Sequence, residues 1–589
     1  MKLWRSVLFL TLTAAPGAAR AQDARLDSLD AFVKTQLARR HIPGLSLAVI
    51  QDGKIVLARG YGVTDETTRA PVTTETLFQA GSISKPVSAL GALHLVEAGK
   101  LSLDADVNGF LKSWQVPANG FTATEKVTLR RLLSHSAGLT VHGFPGYDLQ
   151  DPLPTLVQVL DGARPANTPA IRVDTTPGAI WRYSGGGFTV MQQMVIDVTG
   201  LPFPRFLQET VLGPIGMRSS SFEQPQPPAR AALTATGYYG DRTPVRGRWH
   251  LYPEMAAAGL WTTASDLARF AIEIQETLAG KGHGVISRAM AEQYLTPQKA
   301  GSGLGIGVAG SGDAQSFSHG GRDEGFDALL VALAHRGQGA AIMINANDNS
   351  RFMGRLQEYI ARAWGWPQAG PAPAPAATRG VRLEAARLNR YAGYYELMEN
   401  QMISLAPDAA GTGLETLADG LPNESFLALD SLRFGSADRP MLIAFAPGAG
   451  GAVSGVRWRV GAATGERTIA RVAPLPSTVA AAPDPDPALG ARVSAALEAL
   501  RQGGAALDNA ADLPPGTRKD FSPGAGAALE GIGRLSYLGS ENVAGRGIHR
   551  HGSEVASVRY YRTGNARLPY LLVHLTAEGR LADFDLVDR

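Results

Sequence analysis

A serine and a lysine stand three residues apart at the start of an apolar stretch, FQAGSISKPVSALGALHLVEAGK, which covers residues 78–100. Residues three apart lie on one face of a helix, so the hydroxyl of Ser82 and the amine of Lys85 can meet. Pro86 fits a helix only near its first turn, where a missing N–H removes no hydrogen bond. The pattern therefore places Ser82 at the N-terminal end of a helix.

The chemistry that this pair favours is activation of an alcohol. The positive end of a helix and burial both disfavour a cation, so Lys85 would shed its proton more readily there and accept the proton of Ser82. Free N–H groups of the first turn can hold an oxyanion. The apolar residues that follow predict a central, buried helix, which would make the pair rigid. The interpretation is an activated serine.

The bare pattern is also compatible with chance. At ordinary residue frequencies, Ser-x-x-Lys is expected about twice in a chain of this length. Here it heads a buried helix after a predicted strand, and this context favours the functional interpretation over the structural one.

Two further groups have suitable chemistry. Tyr183, in WRYSGGGF, can share a proton relay, because a neighbouring lysine or helix end would lower the pKa of a phenol. His319, Gly320 and Gly321, in FSHGGRDEGF, precede a predicted strand and form an edge that a substrate backbone can approach. Their N–H groups can supply a second oxyanion donor. Each has a structural alternative: a half-buried aromatic for Tyr183, a surface turn for His319 and a bend for the glycines.

The elements around these groups are predicted from periodicity and turn residues. LSLAVIQDGKIVLARGYG reads as two strands joined at Asp52-Gly53, and the helix that carries Lys85 is expected to end at Gly99. A later amphipathic helix would be capped by Ser265 or Asp266.

Strands are expected again after residue 300. GLGIGV, FDALLVALA and GAAIMINAND are short apolar segments, and the last two are joined through Arg336-Gly337. Strands at both ends with helices between them predict an α+β domain. Its antiparallel sheet would be closed by the two chain ends and flanked by helices, with a helical lobe inserted.

Two proline-rich stretches divide the rest of the chain, WPQAGPAPAPAATRG and APLPSTVAAAPDPDPALG. Short strands such as YAGYYE and VSGVRWRV lie between them, and a helix with two or three strands follows. The predicted organisation is a signal peptide at 1–21, the α+β domain at 22–365, a Pro/Ala linker at 366–380, a small β-sandwich or barrel at 381–472, a linker at 473–490 and a small α+β domain at 491–589.

Bulk composition disfavours several classes of protein. The 589 residues carry a net charge of only +3 and no dense Lys/Arg block, so nucleic-acid binding is not expected. The chain has no cysteine, which excludes disulfides, thiolate zinc sites and cysteine nucleophiles. Its 11 histidines show no metal-ligand spacing, and neither a metal nor another cofactor is predicted.

The N-terminus has the pattern of an export signal. Lys2 and Arg5 precede an apolar run and an A-x-A site that ends at Ala21. The run is too short for a stable membrane anchor, and no later segment is long and apolar enough to span. A buried N-terminal helix is the alternative. We expect a periplasmic or secreted mature chain that begins near Gln22 and contains no integral membrane segment.

Taken in order, these motifs resemble those of the serine β-lactamase and penicillin-binding-protein superfamily. The most similar part is its class C-like branch of D-aminopeptidases, DD-carboxypeptidases and β-lactamase-like esterases. Ser82 and Lys85 match its Ser-x-x-Lys, Tyr183 begins its Tyr-x-Asn, and the His319 triplet matches the His-x-Gly variant of Lys-Thr-Gly.

Two supporting stretches are also similar to the family, LRRLLSHSAGLTVHG near His135 and AAAGLWTTASDLARF near Gly259. The resemblance covers roughly residues 25–365 and implies a β-lactamase-like fold. It also implies an acyl-enzyme on Ser82, with Lys85 and Tyr183 as general base and acid and with the oxyanion held by N–H groups of Ser82 and of the strand after His319. The substrate would be a small molecule or peptide: an ester, a D-amino-acid amide, a cell-wall peptide or a β-lactam.

Two departures from the family pattern bear on the substrate. Gly185 replaces the asparagine of Tyr-x-Asn, and His319 replaces a lysine whose permanent charge suits a penicillin carboxylate. Arg322 could partly compensate, although an exposed loop arginine is the plainer interpretation. We therefore predict a secreted serine hydrolase that cleaves ester or amide bonds. The alternatives are a DD-peptidase or weak β-lactamase, a non-catalytic receptor for penicillin or peptidoglycan peptides, and an enzyme that transfers the acyl group to an amine.

Overall fold

The computed structural model describes residues 16–587 apart from residues 241, 349–351, 368–379, 399–400, 409–410, 419–420, 437–440, 448–452, 461–466, 503–528, 530 and 566–567. Most of the predicted signal peptide, 1–21, and most of the predicted linker at 366–380 lie outside these residues. Among the helices of the described part, none combines the length and the apolar character that crossing a membrane requires.

An antiparallel sheet of six strands forms the centre of the first half of the chain. The strands of this half are β1 (Gly44–Gln51), β2 (Lys54–Gly62), β3 (Phe78–Gln79), β4 (Trp261–Thr262), β5 (Gly307–Ala309), β6 (Ser316–Asp323), β7 (Phe326–Leu333) and β8 (Gly339–Ile344). Six of them pair in the order β2-β1-β8-β7-β6-β5, while β3 and β4 pair with each other. The predicted hairpin is confirmed, and its turn residues Asp52 and Gly53 both have positive φ. Two distant parts of the chain close the sheet, as predicted.

Helices cover both faces of this sheet. They are α1 (Pro16–Arg40), α2 (Ser84–Glu97), α3 (Leu129–Leu133), α4 (Leu156–Asp161), α5 (Gly185–Thr199), α6 (Phe203–Leu207), α7 (Pro228–Ala231), α8 (Met255–Ala258), α9 (Ala264–Leu278), α10 (Arg288–Tyr294) and α11 (Phe352–Ala363). Side chains of β1 alternate between two cores: Leu47 packs with α1 and α11, and Ala48 packs with the core that contains α2, α5 and α9. The inserted helical lobe thus lies on the second face.

Helix α2 is the helix that the opening stretch predicts. A 3₁₀ turn, Gly81–Ile83, leads into it, and Pro86 is its third residue, where proline is tolerated. Every residue from Ser84 to Leu93 is buried. The helix is followed by Gly99 with a φ of 68°, as expected for a glycine that ends a helix.

Three local predictions in this half are wrong. The cap of α9 is Thr263, whose hydroxyl accepts the Asp266 N–H at 3.1 Å, rather than Ser265 or Asp266. Only the end of GLGIGV is extended, as β5. His319 and its two glycines lie within β6 rather than before a strand, because the flexible glycines are held by pairing with β7.

The predicted small β unit is a closed barrel of eight antiparallel strands. Helix α12 (Ala385–Tyr391) precedes it, and buried aromatic side chains, among them Tyr395 and Phe445, fill its interior. The strands are β9 (Gly393–Met398), β10 (Gln401–Pro407), β11 (Gly413–Ala418), β12 (Leu421–Ala428), β13 (Arg433–Ser436), β14 (Met441–Pro447), β15 (Val453–Val460) and β16 (Arg467–Ala473). A buried pair, Arg355 to Glu424 at 3.3 Å, joins α11 to this barrel.

The last part of the chain combines one helix with strands, which agrees with the predicted α+β unit. Helix α13 packs Val493 and Leu497 against Val573 of a four-stranded sheet in the order β17-β20-β21-β22. The elements are α13 (Pro487–Gln502), β17 (Ser536–Asn542), β18 (His549–Arg550), β19 (Ser553–Glu554), β20 (Ser557–Arg562), β21 (Tyr570–Leu575) and β22 (Leu581–Val587). The predicted domain boundaries stay a prediction.

Candidate active site

Ser82 and Lys85 are in direct contact. The ammonium nitrogen Nζ of Lys85 donates to Ser82 Oγ at 3.0 Å and to the carbonyl oxygen of Ala257 at 2.8 Å. Lys85 is only 2% exposed, whereas Ser82 is partly exposed. A hydroxyl that solvent can reach therefore lies directly against a buried amine.

The backbone around this pair is tied to the segment that contains α8 and β4. The Ser84 hydroxyl donates to the carbonyl of Gly81 at 2.6 Å and accepts the N–H of Leu260 at 2.9 Å. The Ala80 N–H in turn donates to the Leu260 carbonyl at 2.9 Å. These bonds explain the AAAGLW stretch: its backbone holds the 3₁₀ turn of Ser82 and supplies the second acceptor for Lys85.

Tyr183 lies beside the same amine. Its ring centroid is 5.0 Å from Lys85 Nζ, and the ring of Phe188 is at 5.8 Å. The negative faces of both rings attract the ammonium group. Ser184 caps α5 by accepting the Gly187 N–H at 3.0 Å, which fixes the backbone immediately after Tyr183. The structure thus brings together the three residues that the sequence singles out for proton transfer.

His135 packs against the ring of Tyr183 and is hydrogen-bonded to the backbone beside it. Its ring lies 4.3 Å from the Tyr183 ring, its Nδ1 accepts the Ser184 N–H at 3.2 Å, and its carbonyl accepts the Arg182 N–H at 2.8 Å. Burial, followed by the positive charge of Lys85, lowers the pKa of His135 well below its usual value. The neutral ring carries its proton on Nε2 and holds the backbone after the tyrosine, while the His135 carbonyl holds the backbone before it. The sequence around His135 resembles the family, but that resemblance did not predict a role for this histidine.

His319 forms the opposite side of the site. Its ring lies 6.3 Å from that of Tyr183, and burial together with the charge of Lys85 lowers its pKa to about 4. At neutral pH the ring is uncharged. The position that holds a lysine in Lys-Thr-Gly therefore carries no cation here.

Two other predicted substrate contacts are placed differently from the expectation. Arg322 lies in β6 rather than in a loop, and its Nε and Nη2 bind Asp327 at 2.7 and 2.6 Å. That carboxylate compensates its charge, and a contact between Arg322 and substrate stays a prediction. Gly185 is the buried first residue of α5, and a Cβ added there would lie 2.8 Å from the Phe144 ring.

One edge of β6 is open beside Ser82. Strand β5 pairs with Ser316–Ser318 only, so within the described residues His319–Gly321 have no strand neighbour on that side. A cleft of about 250 Å³ adjoins this edge, and Tyr183, His319 and Gly320 form part of its wall. The arrangement can admit an extended substrate backbone next to the serine.

Gly321 is needed because β6 passes against the backbone that precedes Ser82. A Cβ at this position would overlap the carbonyl oxygen of Ala80. We expect Gly321→Ala to lower the free energy of unfolding by about 3 kcal/mol and to reduce activity, since β6 must move away from the 3₁₀ turn. Gly320→Ala is the matched control, because the nearest atom to its added Cβ, Ala328 O, is 4.0 Å away. Equal melting temperatures and rates for the two variants would contradict this close approach.

Two buried carboxyl groups near the site were not predicted. Glu254 precedes α8 and is 0% exposed, and among the described residues neither of its carboxyl oxygens has a hydrogen-bond partner. Burial raises its pKa to about 8. Asp323, at the end of β6, is also buried, and burial raises its pKa well above the usual value although the charge of Lys85 opposes this. The sequence signal for Glu254 was a single acidic residue in an otherwise apolar stretch, YPEMAAAGLW.

Glu254 is expected to make stability fall with rising pH. Between its ordinary pKa of 4.5 and about 8, the folded chain holds a proton that the unfolded chain has lost, so the free energy of unfolding decreases. Glu254→Gln carries no such proton. From about pH 5.5 to pH 8 the unmodified chain should lose about 3 kcal/mol more stability than this variant. Asp323 is present in both proteins, and the charge of Glu254 is the smallest of the causes that raise its pKa, so most of its contribution is common to the two curves. Parallel melting-temperature curves across this pH range would contradict the burial of a neutral Glu254.

A group of ligand-type side chains lies on α9 and the turn after it. Atoms of Glu273, Glu276 and His283 come within 4.8 Å of one another. Glu273 already accepts the His283 backbone N–H at 2.9 Å and lies 2.5 Å from its ring, and the carboxylate raises the pKa of His283. These bonds account for the cluster without an ion.

A sheet of this order, with Ser-x-x-Lys on its central helix and a His-x-Gly strand beside it, defines the serine β-lactamase and penicillin-binding-protein superfamily. The model of the Beta-lactamase family matches residues 29–364, and the chain belongs to that family.

Similar proteins agree with this assignment. Protein flp of Staphylococcus aureus (strain N315) is 23% identical over 351 residues, which are 56% of this chain and 65% of that protein. Penicillin-binding protein 4 of Amycolatopsis lactamdurans is 29% identical over 265 residues, 43% of this chain and 64% of that protein. The chain thus spans just under two thirds of the length of these relatives. The octameric penicillin-binding protein homologue from Pyrococcus abyssi, 21% identical, has a similar fold with a TM-score of 0.50 over 75% of this chain and 99% of that one.

Proposed function

We propose that the protein is a serine hydrolase that cleaves ester or amide bonds through an acyl-enzyme. Ser82 Oγ attacks the carbonyl carbon, and its proton passes to Lys85 or Tyr183. The same groups return a proton to the leaving group and then activate the water that releases the acyl product. N–H groups of Ser82 and of β6 near Gly321 stabilise the oxyanion.

The observation that carries this proposal is the 3.0 Å hydrogen bond between Lys85 Nζ and Ser82 Oγ. The other hydrogen bond that the amine donates goes to a backbone carbonyl, Ala257 O, rather than to a carboxylate. An amine whose hydrogen bonds go to a backbone carbonyl and to the serine itself is placed to exchange the serine proton directly.

The substrate class follows from what the site lacks. A penicillin or a peptide with a terminal D-alanine presents a carboxylate, and the neutral His319 and the Asp327-bound Arg322 offer it no free cation. Esters and D-amino-acid amides need no such partner. We therefore place esterase or D-amino-acid peptidase activity ahead of β-lactamase or DD-peptidase activity. Export to the periplasm or medium belongs to the same proposal and rests on the N-terminal sequence pattern.

A receptor is the second candidate. The glycine at position 185 removes an amide that contacts substrate in the family, and its buried place at the start of α5 leaves no side chain to replace that contact. Slow release of the acyl group would turn the same site into a stable binder of penicillin or peptidoglycan peptides.

Covalent trapping tests both candidates. The purified chain is treated with a fluorophosphonate probe and a fluorescent penicillin, and the labelled peptide is identified by mass spectrometry. Turnover is then measured on p-nitrophenyl esters, D-amino-acid amides and penicillin. Labelling at Ser82 with turnover of esters or amides is the expected result. Stable labelling without turnover supports the receptor, and a label on another residue contradicts both.

A further inference from the structure

The cleft beside the open edge of β6 has an uncharged lining. It is formed by His135, Trp181, Tyr183, Ala300, Gly301, Ser302, Ile306, Gly307, Ser318, His319 and Gly320. None of these is an aspartate, glutamate, lysine or arginine. Both histidines have lowered pKa values, so they are neutral at physiological pH. A charged group entering this cleft would lose water, and none of the lining side chains carries a charge that could pair with it.

Two cations lie next to lining residues in sequence, and both have partners. Arg182, between Trp181 and Tyr183, donates to Asp174 at 3.2 Å. Lys299 immediately precedes the lining residue Ala300, and its Nζ donates to the carbonyls of Gly178 and Ala179 at 2.6 and 2.9 Å. These bonds connect the wall of residues 300–307 to the turn that leads into Trp181. Lys299 therefore links the two walls of the cleft, and backbone oxygens accept the hydrogen bonds of its ammonium group.

Trp181 gives one wall of the cleft an aromatic surface. The side chain is 42% exposed, although a tryptophan usually buries most of its ring. Its indole is packed edge-on against His135, with ring centroids 6.2 Å apart. Ile306 faces the same space from the wall of residues 300–307. An indole that is fixed by its packing on His135 but remains exposed to solvent can bind a flat apolar group.

We infer that this cleft selects substrates with an uncharged, aromatic or bulky apolar portion next to the scissile bond, and that Trp181 is the residue that sets this preference. The inference rests on the proposed hydrolase function, since it names the substrate class of the same site. Burying one face of a phenyl ring against the indole removes apolar surface from water, and a carboxylate in the same place would remain unpaired.

Matched esters test the preference. The p-nitrophenyl esters of acetate, pentanoate, 3-phenylpropanoate and hemisuccinate vary size and charge on the acyl side, and phenyl, benzyl and methyl acetates vary the alcohol side. We expect kcat/KM for the phenylpropanoate or for the benzyl ester to exceed that of its small counterpart by at least about 10-fold. Hemisuccinate should be cleaved at least about 10-fold more slowly than pentanoate, which has similar length. Equal rates across both series would overturn the inference.

Two variants identify the residue responsible. Trp181→Ala should reduce the ratio of aromatic to acetate kcat/KM by about 5- to 10-fold, which is a change in KM more than in kcat. Ile180→Ala is the matched control, because Ile180 is also 42% exposed and adjacent in the chain but does not line the cleft. An equal effect of both variants, or a uniform loss on every substrate, would contradict the assignment of Trp181.

A binding measurement separates this inference from the proposed function. Saturation-transfer NMR with 3-phenylpropanamide is recorded on Ser82→Ala, which needs no turnover. Signal transfer that disappears in the Ser82→Ala/Trp181→Ala double variant and persists in Ser82→Ala/Ile180→Ala supports the cleft even if no ester is hydrolysed. Absence of transfer in Ser82→Ala overturns the cleft, even if the covalent label is found on Ser82.

Discussion

Replacing Ser82 with alanine is expected to lower kcat/KM for the best ester of the panel by about 10⁴-fold or more and to abolish covalent labelling. The hydroxyl is the group that forms the acyl bond, and among the described residues Ser82 is the alcohol to which Lys85 is hydrogen-bonded, the other acceptor being the carbonyl of Ala257. The oxyanion donors and the cleft remain in the variant, so a small residual rate above that of water is consistent with the mechanism. Initial rates and probe labelling measure both effects.

Ser88→Ala is the matched control for this variant. Ser88 lies in α2 one turn beyond Lys85, is fully buried, and its hydroxyl has no hydrogen-bond partner among the described residues. Its loss should change kcat/KM by less than about twofold and leave labelling intact. Comparable losses at the two positions would mean that damage to α2, rather than loss of a nucleophile, explains the Ser82 result.

Lys85→Met is expected to lower kcat/KM by about 10³-fold while the chain stays folded. Methionine has similar length and apolar character, so it fits a site that is 2% exposed, but it cannot accept the serine proton. The variant also leaves the carbonyl of Ala257 without its lysine donor, and a modest fall in melting temperature is expected from this loss. Activity and melting temperature together separate the two effects.

Lys126→Met controls for the removal of a lysine that binds a backbone carbonyl. Lys126 Nζ donates to Thr122 O at 2.9 Å and has no contact with the serine in the structure. We expect its rates to match those of the unmodified chain. Unchanged rates for Lys85→Met would exclude the amine as the base and leave the proton transfer to Tyr183.

Local patterns predicted those features that neighbours in the chain decide. Asp52-Gly53 required a tight turn, Pro86 restricted where α2 could begin, and Gly99 ended it, and all three are found as expected. The cap of α9 was misplaced by two or three residues because Thr263, Ser265 and Asp266 all have capping side chains. Which one caps depends on where the chain leaves β4, and that is set by the pairing of β4 with β3.

The supporting parts of the site could not be read from local patterns. The Lys85 amine finds its carbonyl acceptor 172 residues away, and the His135 ring accepts a backbone N–H from a residue 49 positions away. Such contacts follow from the packing of α8 and α5 against α2, not from spacing along one element. The barrel strands β10, β11 and β16 were not individually predicted, since segments such as QMISLAP and GLETLA mix polar and apolar residues without a strict period.

The unpaired edge of β6 at His319–Gly321 also bears on aggregation. Exposed strand edges are templates on which foreign chains assemble, and the eight-stranded barrel has none because it closes on itself. At His319–Gly321 the edge is open for only about 10 Å, the length of three extended residues. β5 borders this stretch on one side, and on the other the backbone of Gly81 lies against Arg322, where a Cβ added to Gly81 would come within 2.4 Å of the Arg322 nitrogen. A substrate segment of one or two residues can pair with an edge of this length, whereas a strand long enough to start a fibril cannot.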